Sequence, residues 1–324
     1  HPQRVVFAEG EHNTMMKAAV QAKMEGICHP VLLGNPDRLR RMATRLKLDL
    51  TGIELIDMRA DQEQGRRATY AKHLAEKRAR DGYTFQEAYD KMYERNYFGM
   101  MMVETGDADA FITGLYTKYS NTIKVAKEVI GIREENSTFG TMHIINSPKG
   151  VLYLADTLVN GDPNTDDLVD IAKLASRTVK FFNETPNIAL ISYSNFGSDT
   201  APGSLKVKNA VKRVQDEMPE LCIDGEMQIG YALNRELRDQ KYPFSKLVGK
   251  DVNTLVFPNL TSARSAYKLL QMLSNDVEII GPIQMGLNKP IHFTDSESSV
   301  RDIVNITAIA TIDAYVEKIK QGKK

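Results

Sequence analysis

Four segments of this chain combine hydroxyls, charges and glycines in patterns suited to holding a phosphate-bearing ligand. The first is Phe7-Ala8-Glu9-Gly10-Glu11, between a strand-like run and a helix expected to begin near Asn13. Its acidic residues either favour that helix N-terminus, with Asn13 or Thr14 as the cap, or touch a ligand directly. The second runs from Thr113 through Gly114 to Lys118, Tyr119, Ser120, Asn121, Thr122 and Lys124. A helix start with hydroxyls and lysines around it reads as a phosphate cradle, or as a solvated cap with surface lysines. The third is the small-residue loop Ser192-Tyr193-Ser194-Asn195-Phe196-Gly197-Ser198, continuing to Ala201-Pro202-Gly203-Ser204 ahead of a helix expected near Leu205. Irregular loops of that length in compact domains are commonly functional, and a plain surface loop is the other reading. The fourth spans Gly281–Pro290 and Asp295–Asp302, where glycines permit close backbone approach to a ligand. Within it Ser299 and Asp302 have the spacing of a capping box, which gives Asp302 a structural reason to exist.

Other chemistries have no foothold. The six histidines are scattered and form no metal-ligand spacing with cysteine or acidic residues. No Gly-x-Gly-x-x-Gly follows a strand, and there is neither a Walker loop nor a Gly-x-Ser-x-Gly nucleophile elbow.

Ligand segments of this kind belong at the carboxyl ends of strands in open α/β sheets, and the chain supplies such strands. Short apolar runs at Val5–Ala8, Pro30–Leu33, Ile53–Asp57, Ala110–Thr113, Ile188–Ser192, Thr254–Phe257 and Val277–Ile280 read as strands, most of them buried on both faces of a parallel sheet. Helical patterns alternate with them, as in Thr165–Asn183, where Leu168, Ile171, Ala172, Ala175, Val179 and Phe182 share a face behind Asp166 and Asp167. That alternation predicts βαβ units and an α/β fold. Thr141–Ile145 and Val151–Ala155 flank Asn146-Ser147-Pro148-Lys149-Gly150 and read as an antiparallel hairpin. The polar stretch Arg133–Ser137 before it marks a domain boundary, and a last helix is expected from Ser299 to about Ile319.

At 324 residues the chain exceeds the size at which one core stops growing, so two domains are expected. Forty-two basic residues balance forty-two acidic ones, which excludes the electrostatic footprint of nucleic-acid or acidic-membrane binding and leaves phosphate recognition to a local site. Cys28 and Cys222 lie far apart in apolar stretches, which points to a reducing, cytoplasmic setting. No apolar run approaches a membrane span. Strand-like sequence begins directly after His1, as expected of a piece cut from a longer polypeptide or of a protein trimmed at its start.

Taken in order, these segments resemble the phosphate acetyltransferase and butyryltransferase family across nearly the whole chain. The resemblance rests also on Asp156-Thr157-Leu158-Val159-Asn160, Asp224-Gly225-Glu226-Met227-Gln228, Phe257-Pro258-Asn259-Leu260 and Val300-Arg301-Asp302-Ile303-Val304-Asn305. It implies two α/β domains with a cleft between them (isocitrate dehydrogenase-like), residues 1–135 with 289–324 forming the first and 136–288 an inserted second. Coenzyme A and acyl phosphate meet in that cleft in the family. Where active members carry Ser-Arg-Gly-Cys-Ser, this chain has Asp295-Ser296-Glu297-Ser298-Ser299; where they carry His-Ser-Thr-Ala-Asp-Thr-Val-Arg, it has Thr117-Lys118-Tyr119-Ser120-Asn121-Thr122-Ile123-Lys124. An acid thus replaces the catalytic serine, and the arginines and the phosphate-gripping Ser-Thr pair are gone. Asp302, the family's candidate base, is retained.

These departures, with Ser194-Asn195-Phe196-Gly197-Ser198 and Ala201-Pro202, resemble the C-terminal phosphotransacetylase-like module of hybrid NADP-linked malic enzymes. The resemblance implies a regulatory module that binds acetyl-CoA (or CoA) as an allosteric ligand and forms a homodimer. It implies no cofactor or metal of its own; NADP and a divalent metal would belong to an N-terminal malic enzyme part. No catalytic residue is expected, or Asp302 alone if the module is active. The expected acetyl-CoA contacts are Lys118, Tyr119, Asn121, Lys124, Ser194, Asn195, Phe196, Lys289, Asp295, Ser296, Ser298, Arg301 and Asp302. A working phosphate acetyltransferase, with Asp302 as base and Lys124 on the phosphate, is the competing expectation, and a ligand-free oligomerisation module is the third.

Overall fold

In chain order the strands are β1 (Gln3–Phe7), β2 (Cys28–Leu33), β3 (Glu54–Ile56), β4 (Ala110–Thr113), β5 (Gly140–Ser147) and β6 (Gly150–Ala155). They continue with β7 (Asn187–Ile191), β8 (Cys222–Met227), β9 (Thr254–Val256), β10 (Glu278–Met285) and β11 (Ile291–Phe293). The computed structural model describes residues 2–116, 119–320 and 322. Residues of His1–Gly131 and Leu287–Lys324 pack as one compact unit, and Ile132–Gly286 as a second.

The sheet of the first unit is parallel throughout, in the order β11-β4-β1-β2-β3. Its centre is built from the apolar runs read in the sequence: Val5, Val6, Phe7, Phe111 and Ile112 are wholly buried. Each such side chain contributes roughly 1.5–3 kcal/mol by leaving water. The helix Asn13–Met24 lays Met15, Ala18, Ala19 and Ala22 inward, and the last helix, Val300–Lys320, packs beside it through Ile303, Val304, Ile306 and Ala310. Helix Asn13–Met24 is capped by neither Asn13 nor Thr14. His12 is the cap, its Nδ1 accepting from the Thr14 amide at 3.2 Å, because the turn after β1 reaches the helix one residue earlier than the Ser/Thr/Asn preference suggests.

The second unit has the sheet order β10-β5-β6-β9-β7-β8. Pairings from β6 to β8 are parallel, whereas β10-β5-β6 is antiparallel and contains the expected hairpin, closed at Ser147 and Gly150. The helix Thr165–Phe181 starts from a capping box between Asn164 and Asp167 and buries Leu168, Ile171, Ala172, Ala175 and Val179, as its periodicity predicts. Three readings are corrected. β8 and β11 were not foreseen. β10, expected to end at Ile280, runs on through Gly281-Pro282 to Met285 by way of an irregular pairing. The helix expected near Leu205 begins at Pro202, whose fixed φ suits the first helical position. No helix among the described residues is long and apolar enough to cross a membrane.

Candidate ligand site at the carboxyl edge of the first sheet

In the first sheet the chain order reverses between β1 and β4, the place where open α/β sheets leave a crevice. Glu9 fills it. Its carboxylate is buried and accepts from the Thr113 hydroxyl (3.0 Å) and the Gly114 amide (3.0 Å). Burial pushes its pKa above the ordinary 4.5, against the opposing effect of those two donors and the nearby Arg95 charge. Gly10 is forced by packing: a Cβ there would lie 2.6 Å from the Leu33 carbonyl oxygen. Glu11 accepts from the Asn35 amide at 2.9 Å. The acidic residues of the first segment therefore fasten strand ends together instead of favouring the start of helix Asn13–Met24.

Beyond β4 and β11 several expected ligand residues come together. The Tyr119 hydroxyl, at the start of helix Tyr119–Val129, donates to the Thr294 carbonyl at 2.6 Å. Asp295 and Ser298 close a turn on each other: the Asp295 amide donates to Ser298 Oγ and the Ser298 amide to the Asp295 carbonyl, both at 2.9 Å. The Ser296 hydroxyl donates to Asp295 Oδ1 at 3.3 Å. The capping box read from the sequence is present. Asp302 Oδ2 accepts from the Ser299 amide (2.7 Å) and hydroxyl (2.8 Å), while the Asp302 amide donates to Ser299 Oγ (3.2 Å).

Asn121 and Lys124 project from the same helix, exposed. Lys124 sits 3.7 Å from Glu128, an i,i+4 pair too weak to hold it from a ligand. Lys118 lies outside the described residues. Two other expected contacts point elsewhere. Arg301 pairs with Glu25 at 3.4 Å. Lys289 precedes β11 and lines a cavity with Val103 and Asp109, at the end of the strand opposite Asp295.

In the second unit the loop after β7 is organised by its own contacts. Ser194 is buried, donating to Ser204 Oγ at 2.8 Å within a cluster that includes Ser192 and Glu226. Asn195 accepts from the Gln228 amide at 2.9 Å, and Phe196 meets Tyr242 at a tilt and Phe244 edge-on. The glycines of the fourth segment also serve packing: a Cβ on Gly281 would meet the His143 ring at 2.7 Å, and one on Gly286 would meet Leu174 at 3.0 Å. The Asp156 carboxylate is held by the amides of Thr141, Leu158, Val159 and Asn160, which explains that run of residues without a ligand.

Sequence reasoning missed a cavity of about 430 Å³ beside Glu9, at the carboxyl ends of β1, β2 and β3, with Arg38, Arg59 and Arg95 on its walls. Arg59 stands just past a predicted strand, and that position was the available signal. Among the described residues no group of three or more His, Cys, Asp or Glu side chains is placed to hold a metal ion.

Two sheets of this order, joined by a chain that leaves the first unit and returns to it, define the phosphotransacetylase fold. A solved phosphotransacetylase from Streptococcus pyogenes superposes with a TM-score of 0.86 at 30% identity, over 97% of this chain and 94% of that one. The chain belongs to the phosphate acetyl/butaryl transferase family, which it matches over residues 1–311. It is 34% identical over 319 residues to the NADP-dependent malic enzyme of Escherichia coli (strain K12), covering 98% of this chain and 42% of that protein. It is 31% identical over 318 residues to the phosphate acetyltransferase of Clostridium acetobutylicum, covering 96% and 94%. The chain thus spans about two fifths of the malic enzymes it matches and corresponds to their phosphotransacetylase-like region.

Proposed function

We propose that this chain is a regulatory acetyl-CoA-binding module without acyl-transfer catalysis, serving a malic enzyme part that converts malate to pyruvate with NADP and a divalent metal. The observation that carries this reading is the segment after β11. Acyl transfer to phosphate needs a base for the coenzyme thiol and dense donors around the phosphoryl group. Here Asp295 brings negative charge where the family's serine stands, Ser296 lacks the arginine's paired donors, and Asp302 Oδ2 is taken by Ser299. Loss of one preorganised donor costs roughly a hundredfold in rate, and several are replaced. Tyr119, Asn121, Lys124, the Asp295–Ser298 turn and Asp302 remain as the acetyl-CoA contacts of the first unit.

Regulation requires that acetyl-CoA prefer one of two arrangements of the whole protein. Self-association is supported by the helix Leu260–Leu273, which leaves Leu269, Met272 and Leu273 mostly exposed. A reducing cytoplasm suits the two free cysteines.

Isothermal titration with acetyl-CoA tests the reading, and absence of heat at millimolar ligand removes it. The alternative, an active phosphate acetyltransferase, draws on the likeness to the Clostridium acetobutylicum protein. Release of free thiol from acetyl-CoA and phosphate at an enzymatic rate would establish it instead.

A further inference from the structure

The cavity at the ends of β1, β2 and β3 lies on the other half of the sheet edge from the residues just assigned to acetyl-CoA, which follow β4 and β11. The buried carboxylate of Glu9 stands between the two halves. At about 430 Å³ the cavity is within the size range of small-molecule sites. Its charges are unbalanced. Two carboxylates face three guanidinium groups, and both carboxylates are already engaged: Glu11 with the Asn35 amide, Asp57 with the Arg59 amide (3.0 Å) and the Asn35 side chain (3.3 Å).

Among the described residues neither Arg59 nor Arg95 makes an ion pair. Arg59 has one long hydrogen bond, to the Tyr93 carbonyl at 3.4 Å, and Arg95 lies over the Tyr116 ring at 5.5 Å. Tyr116 is in turn in edge contact with His12 at 4.9 Å, so an aromatic face is fixed at the cavity wall. The Arg38 guanidinium pairs with Glu11 at 3.5 Å, its one ion pair among the described residues. The helix Pro36–Leu46 opens here behind the Asn35 cap and adds the positive end of its dipole.

We infer that this cavity is a second anion site, separate from the acetyl-CoA residues, for a small molecule carrying a di- or polyphosphate. Guanidinium groups bind phosphoryl oxygens through paired, charge-assisted hydrogen bonds, and Arg59 and Arg95, neither bonded directly to a carboxylate, are available to do so, Arg95 with the buried Glu9 nearby.

The test is isothermal titration of the intact chain with inorganic pyrophosphate, with and without saturating acetyl-CoA. The expected result is one saturable site per chain with a Kd of about 1 mM or tighter. Arg59→Gln and Arg95→Gln should each weaken it about tenfold, the loss expected for a charge-assisted contact. Arg213→Gln, a surface change in the second unit, should leave it unchanged, and circular dichroism melts of all variants should match wild type. No saturable heat up to about 10 mM pyrophosphate overturns the inference. So does undiminished affinity in the Arg59→Gln/Arg95→Gln double variant. Loss of the pyrophosphate site when acetyl-CoA is bound would show one shared site and also sink it. Because pyrophosphate carries no thioester, failure of acetyl-CoA to bind would leave this result standing.

Discussion

Glu9 and Thr113 are joined by a buried hydrogen bond of 3.0 Å that ties the end of β1 to the end of β4. Removing the carboxylate by Glu9→Ala leaves the Gly114 amide unpaired in the interior and the Thr113 hydroxyl with Asn96 as its remaining partner. A loss of about 2 kcal/mol in unfolding free energy is expected, measured by urea titration.

The same carboxylate sets a pH dependence. Its folded pKa lies above the usual 4.5 because burial disfavours the charged form. Its contribution is therefore complete below that ordinary value and declines as pH rises through the folded one. Glu9→Gln keeps an acceptor for Gly114 but cannot ionise. Thermal melts from acid to neutral pH should show wild type losing stability relative to this variant as pH increases. A constant gap between the two would mean that Glu9 does not titrate differently in the folded chain.

Lys124 separates stability from binding. Its pair with Glu128 is exposed on the lysine side, so Lys124→Met should change stability by no more than about 0.5 kcal/mol. Acetyl-CoA affinity should nonetheless fall several-fold, read by titration calorimetry, because a phosphate partner is lost. Asp295→Asn should act in the opposite sense and tighten binding, most strongly at low salt.

The two thiols should differ in reactivity. Cys28 is buried, and burial pushes its pKa up to about 12, so almost no thiolate forms at neutral pH. Cys222 is half-buried, with Lys250 Nζ at 3.1 Å from its sulfur. Iodoacetamide followed by peptide mass spectrometry should find Cys222 modified well before Cys28 in the native protein, and both modified at once in denaturant.

Arg238 is fully buried and donates to the carbonyls of Ala232, Leu247 and Lys250. Arg238→Met removes the donors to three carbonyls, of which Leu247 keeps the Lys250 amide, and should cost about 3 kcal/mol or more, seen as a lowered midpoint in denaturant unfolding.

Strands such as β1, β4 and β7 were legible because apolar runs buried on both faces need nothing from the rest of the chain to be recognised. β8 was hidden by its own charges. Asp224 and Glu226 interrupt the run, and they are tolerable only because Ser245, Lys246 and Gly197 donate to them from elsewhere in the unit. β11 is three residues long with a histidine at its centre, too short to carry a pattern. Among the site residues, the Ser299–Asp302 box could be read because its partners are neighbours in sequence. The work of Glu9 depends on Gly114, and the arginine-lined cavity depends on three strand ends meeting, so neither could be seen in spacing alone.

β11 completes the first sheet at its β4 edge, yet the whole of Ile132–Gly286 is translated between them. The middle unit therefore has all its strands outside the ribosome while the first still lacks one. Until Ile291–Phe293 emerges, the apolar strand Ala110–Thr113 offers an open row of amides and carbonyls to any passing partner. During synthesis that edge is where a chaperone has most to shield and where a wrong pairing between nascent chains would begin.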